Sequence, residues 1–165
     1  MLPVLSEREM IACDYYNFSP RRVEYEMPPK AFRRSPARIR AYLDLHGVGH
    51  VITYHPHWVR FFERNTNDYT RVRVFGPTTN KYIFRVLNPA PQLASGRGRV
   101  TAGVNRIEVV PENPREEMIL RYKWNDGLKV DAPARIHPAD MGDGIRFIGL
   151  QPGGAAACTI RYGGS

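Results

Sequence analysis

The chain has 165 residues, enough for one ordinary domain or two small lobes, so neither disulfides nor a structural metal is required for stability. An apolar fraction of 42% beside 24% charged residues excludes intrinsic disorder, and 14 Gly with 14 Pro favour many turns over long helices. The formal net charge of +8 is concentrated early: residues 1–97 hold 15 Lys or Arg against 8 Asp or Glu, and residues 98–165 hold 9 against 8.

Residues 10–16, Met-Ile-Ala-Cys-Asp-Tyr-Tyr, read as a short buried strand, followed by a polar stretch through Pro28-Pro29. Next comes the clearest helix signal. Ser35 is a good N-cap, Pro36 suits the first helical position, Ile39, Tyr42, Leu43 and His46 recur at helical spacing, and Gly47 ends the run. Residues 50–54, His-Val-Ile-Thr-Tyr, are β-branched and aromatic and predict a central strand. A second short helix is opened by Pro56 and carries Trp58, Phe61 and Phe62 at i, i+3 and i+4. Two strands at 70–75 and 81–87 flank Gly76-Pro77-Thr78-Thr79-Asn80, a hairpin with Val72, Val74, Phe84 and Val86 on one face and Arg71, Arg73 and Arg85 on the other.

Residues 89–99 change composition abruptly and read as a linker. Beyond it the pattern is all β, with strands expected at 100–104, 106–110, 117–124, 128–131, 135–138, 145–150 and 156–162, separated by Pro-, Asn- and Gly-rich turns. Short strands at near-regular spacing predict a sandwich. The fold class expected is therefore α+β: a small basic α/β lobe over 1–88, a linker, and an antiparallel β-sandwich over 100–165.

Catalytic signatures are weak. His50, His55 and His57 cluster in sequence but lack further ligands at metal spacing, and Pro56 more simply starts a helix. Cys13 and Cys158 stand far apart, and free buried thiols are expected. No Gly-rich loop follows a strand as a phosphate fingerprint requires, and Ser6, Ser19, Ser35, Ser95 and Ser165 lack a strained elbow context. Asp126, Asp131, Asp140 and Asp143 fall in or near turns, where Asp serves local hydrogen bonding. A non-enzyme without metal or cofactor is expected. No apolar run approaches a bilayer span, and the first residues lack a signal-peptide pattern, so a water-soluble chain is expected.

Binding chemistry offers two patterns. Arg33, Arg34, Arg38 and Arg40 interleave with Phe32 and Tyr42, and Arg71, Arg73 and Arg85 follow on the hairpin; cations beside aromatics suit nucleic acid or anionic headgroups. Tyr122, Trp124, Asn125 and Asp126 place ring faces and hydrogen-bonding groups at one strand end, as sugar recognition requires, while a core role for Trp124 stays equally open.

Three stretches carry a resemblance. They are Arg38-Ile39-Arg40-Ala41-Tyr42-Leu43-Asp44-Leu45-His46-Gly47-Val48-Gly49-His50-Val51-Ile52-Thr53, Lys81-Tyr82-Ile83-Phe84-Arg85-Val86-Leu87-Asn88, and the closing run from Glu117 through Trp124-Asn125-Asp126-Gly127-Leu128 to Pro152-Gly153-Gly154 and Thr159-Ile160-Arg161-Tyr162. Together they resemble the soluble extracytoplasmic C-terminal region of polytopic bacterial membrane proteins related to lipid-linked-sugar glycosyltransferases, including the YfhO-like family. In that family the Trp follows a Pro-Gly turn, whereas Trp124 precedes Asn125-Asp126-Gly127, so no family role is carried to it. The resemblance implies an accessory domain on the extracytoplasmic face of the cytoplasmic membrane. Its partners would be the membrane helices of a parent protein and a glycan or anionic lipid. A stand-alone basic nucleic-acid-binding module is the alternative.

Overall fold

A computed structural model describes residues 31–75, 81–103 and 105–162. The strand expected at 10–16, Cys13 and the turn at 76–80 lie outside the described residues. Among the described residues, two helices and eleven strands in three antiparallel sheets make the fold mostly β with some α. The described residues divide between Ala90 and Pro91 into two compact units. Among the described residues no helix is long and apolar enough to cross a membrane.

The first unit opens with a 3-10 turn, Phe32–Arg34, and helix α1, Pro36–Leu45. Ser35 is extended, and its Oγ accepts the Arg38 N–H at 3.3 Å, satisfying one of the donors that every helix start leaves over. The helix stops where Gly47 takes φ +61, a left-handed conformation that only glycine adopts at little cost. Helix α2, Pro56–Arg64, is capped by His55, whose Nδ1 accepts from the His57 backbone N–H at 3.3 Å. The His-Pro-His cluster is thereby accounted for by helix initiation.

Strands β1 (His50–Thr53), β2 (Tyr69–Phe75) and β3 (Lys81–Val86) form an antiparallel sheet in the order β1-β3-β2. Among the described residues, 50–53 are thus an edge strand, not the central one expected from composition, because β3 is the strand that pairs on both sides. Ile39, Tyr42 and Leu43 of α1 and Val59 and Phe62 of α2 bury one face of this sheet around Tyr69, Phe84 and Val86. Full burial of a ring such as Phe84 stabilises by about 2–3 kcal/mol.

The second unit holds two four-stranded sheets. One orders β4 (Leu93–Ser95), β7 (Met118–Lys123), β10 (Arg146–Gln151) and β9 (Arg135–Asp140); the other orders β5 (Gly98–Gly103), β6 (Arg106–Pro111), β11 (Cys158–Tyr162) and β8 (Leu128–Val130). Met118, Leu120, Ile148 and Leu150 from the first sheet share a single core with Val109, Cys158 and Ile160 from the second. The Cys158 thiol is free and buried, and burial pushes its pKa up. Within residues 89–99, whose composition reads as linker, Leu93–Ser95 pairs with β7 and the first residues of β5 pair with β6.

Candidate functional site

Residues 31–90 hold ten Lys or Arg against three acids, Asp44, Glu63 and Asp68. Two arginines engage all three. The Arg40 Nε donates to the Asp44 carboxylate at 2.9 Å, one terminal nitrogen lies 3.3 Å from Asp68, and the other donates to the Asn88 carbonyl at 2.8 Å. Arg40 therefore ties α1 to the segments before β2 and after β3, and the Asp44 hydrogen bond raises its pKa further. Arg71 meets Glu63 of α2 at 2.8 Å. Arg34, Arg38, Arg60, Arg64, Arg73 and Arg85 consequently have no acidic partner among the described residues.

A bulge decides which arginines share a face. Arg71 lies opposite Phe84, but the next paired residue is Arg73, opposite Ile83; Val72 is the extra residue between them. Residues two apart on a strand normally share a face, and one inserted residue reverses that relation. Arg71 accordingly sits on the helix-covered face, while Arg73 and Arg85 sit on the other, together with His50, Ile52, Thr70 and Ile83. The hairpin expectation is corrected on both sides: Arg71 leaves the basic set, and Val72, 55% exposed at the bulge, leaves the apolar one.

The resulting open face presents Arg73, Arg85 and Ile52 to solvent, the last 40% exposed. Of the rings nearby, Tyr69 and Phe84 are buried and Tyr82 packs against the same core under the helices, while His50 stands on the open face and Tyr54, the residue after β1, is 53% exposed. Near the start of α1 the pattern repeats. Tyr42 is buried and Phe32 packs on it with ring centroids 5.2 Å apart, so the rings interleaved with the arginines serve packing. Arg33 is half-buried, Arg34 and Arg38 are exposed, and an Arg38 terminal nitrogen donates to the Ala31 carbonyl at 3.1 Å.

At the end of β7 the structure keeps Tyr122, Trp124, Asn125 and Asp126 close, and local hydrogen bonds engage polar atoms of the last three. The Trp124 indole N–H donates to the Asp126 carboxylate at 2.8 Å, and Asn125 Oδ1 accepts the Gly127 N–H at 2.8 Å, closing an Asx turn. Tyr122 and Trp124 both pack against the core of the second unit.

Sequence reasoning missed two clusters. His137 on β9 lies 2.6 Å from Glu117, its ring over Gly149 of the intervening β10; these residues are 20 apart, and no local signal links them. On α2, His57, Arg60 and Arg64 line a cleft with Phe61 and Asn65, and their i, i+3, i+7 spacing was a readable signal. Comparison with family models, with curated proteins and with solved structures finds no match to this chain.

Proposed function

We propose that the chain is a non-catalytic binding module whose basic first unit contacts anionic lipid headgroups or lipid-linked phosphate. In this reading it is the extracytoplasmic accessory domain of a membrane glycosyltransferase-like protein, and its second unit is a β-sandwich built from the two sheets that share one core. The observation that carries the reading is the charge imbalance of the first unit, in which three acids are consumed by Arg40 and Arg71 and six arginines keep no acidic partner among the described residues. Cations beside exposed aliphatic side chains suit an anionic lipid surface, where each Lys or Arg contributes on the order of 1 kcal/mol.

Two features favour lipid phosphate over the other ligands considered. Sugar recognition needs outward hydrogen-bonding groups beside a ring, whereas the Trp124 and Asp126 groups bond each other. Single-stranded nucleic acid needs a run of exposed rings for base stacking, whereas on the open sheet face Ile83 lies opposite Arg73, and Thr70 and His50 lie opposite Arg85, one imidazole among aliphatic and hydroxyl side chains. The test is co-sedimentation with phosphatidylglycerol-containing vesicles against pure phosphatidylcholine. Binding confined to the anionic vesicles, and lowered roughly tenfold or more in the R73Q/R85Q double variant, is expected. Equal binding to both vesicle types, or an unchanged double variant, refutes the proposal.

A further inference from the structure

We infer that α2 carries a second anion site, a cleft that takes a phosphoryl group borne on a larger molecule, such as a phosphate ester or a diphosphate. Its lining is His57, Arg60, Phe61, Arg64 and Asn65, and its volume of 320 Å³ exceeds what a lone phosphate fills. This site is distinct from the open sheet face, since every residue that lines it belongs to α2 or to its C-cap, Asn65.

Three observations give the cleft its chemistry. Arg60 and Arg64 stand at i and i+4, where like charges repel and weaken a helix, so an anion between them relieves a cost that the fold alone leaves standing. No acid lines the cleft: Glu63, the one carboxylate of α2, is held at 2.8 Å by Arg71. Two of the donors are also held to the helix backbone. Arg60 Nε donates to the Pro56 carbonyl at 3.3 Å, which leaves both terminal amino groups of the guanidinium for a ligand, and the Asn65 amide is tied to the Phe61 carbonyl at 2.7 Å. Planar guanidinium forks match phosphate oxygens two at a time, and Phe61 supplies an apolar wall for the organic part of the ligand.

The experiment is a titration of the whole chain with inorganic pyrophosphate, followed by NMR of the His57 and Phe61 ring signals at constant ionic strength. A parallel titration uses short-chain phosphatidic acid below its critical micelle concentration. Saturable shifts are expected with pyrophosphate, weakened about tenfold or more in R60Q/R64Q and unchanged in R73Q/R85Q. Tighter binding of phosphatidic acid would assign the phosphoryl group to a lipid, and equal or weaker binding to a soluble phosphate. Absence of saturable shifts with either probe, or identical titrations of wild type and R60Q/R64Q, overturns the cleft. Because neither probe forms a bilayer, a wild-type chain that binds no anionic vesicles but gives saturable pyrophosphate shifts marks failure of the membrane reading alone, and vesicle binding without pyrophosphate shifts marks failure of the cleft alone. Thermal melts of R60Q/R64Q control for folding, and a melting temperature equal to or above wild type is expected because the i, i+4 repulsion is removed.

Discussion

Tyr69 is 2% exposed, sits edge-on to Phe62 at 4.8 Å, and its hydroxyl finds no hydrogen-bond partner among the described residues. Burial pushes its pKa up to about 12, with the nearby Asp68 charge acting in the same direction. The folded chain thus holds a proton that the unfolded chain releases near pH 10, so stability is unaffected below that pH and falls between about pH 10 and 12. Tyr69→Phe removes both the unpaired hydroxyl and the titration. We expect it to gain about 1 kcal/mol at neutral pH and to flatten the alkaline decline, measured by urea unfolding at pH 7 and pH 11. Arg40 sets the opposite expectation. Arg40→Gln removes charge-assisted bonds to Asp44 and Asp68 and should destabilise by about 2 kcal/mol in urea unfolding, whereas Arg85→Gln should stay within about 0.5 kcal/mol of wild type.

At the level of elements, local chemistry was legible and pairing was not. Ser35, Pro36 and Gly47 bound α1 because capping and left-handed turns are settled by residues next to one another. Seven strands of the second unit were readable for the same reason, as turns rich in Pro, Asn or Gly separate them. The three residues Leu93–Ser95 lay below any periodicity signal and take their strand identity from β7. The bulge at Val72 was equally hidden: Arg71-Val72-Arg73-Val74 alternates cleanly, and only the register against β3 shows that one residue is extra. Gly149 shows what such nonlocal packing demands. A methyl group there would strike the His137 ring that lies across β10 and reaches Glu117. Gly149→Ala should cost about 1–3 kcal/mol and displace His137, a change visible in its imidazole NMR signals.

Across the molecule, each unit has its own core of eight buried residues among those described, and the unbalanced charge lies in the first, as the charge count along the sequence anticipated. Which arginines are available was not anticipated, because Asp68 and Asn88 reach Arg40 only after the chain has folded. The cluster read from sequence as Arg33, Arg34, Arg38 and Arg40 thereby gives up Arg40 to structure, and Arg73, Arg85, Arg60 and Arg64 become the carriers of the binding account.

The central claim, that this unit binds anionic lipid phosphate, is tested most directly by measuring binding of the purified chain to anionic vesicles, to immobilised glycans and to single-stranded DNA at low and at physiological salt. The account predicts vesicle binding that persists at physiological salt, with weak DNA binding that disappears there and no glycan signal. DNA binding that exceeds vesicle binding and falls steeply with salt, or glycan binding without vesicle binding, would contradict it.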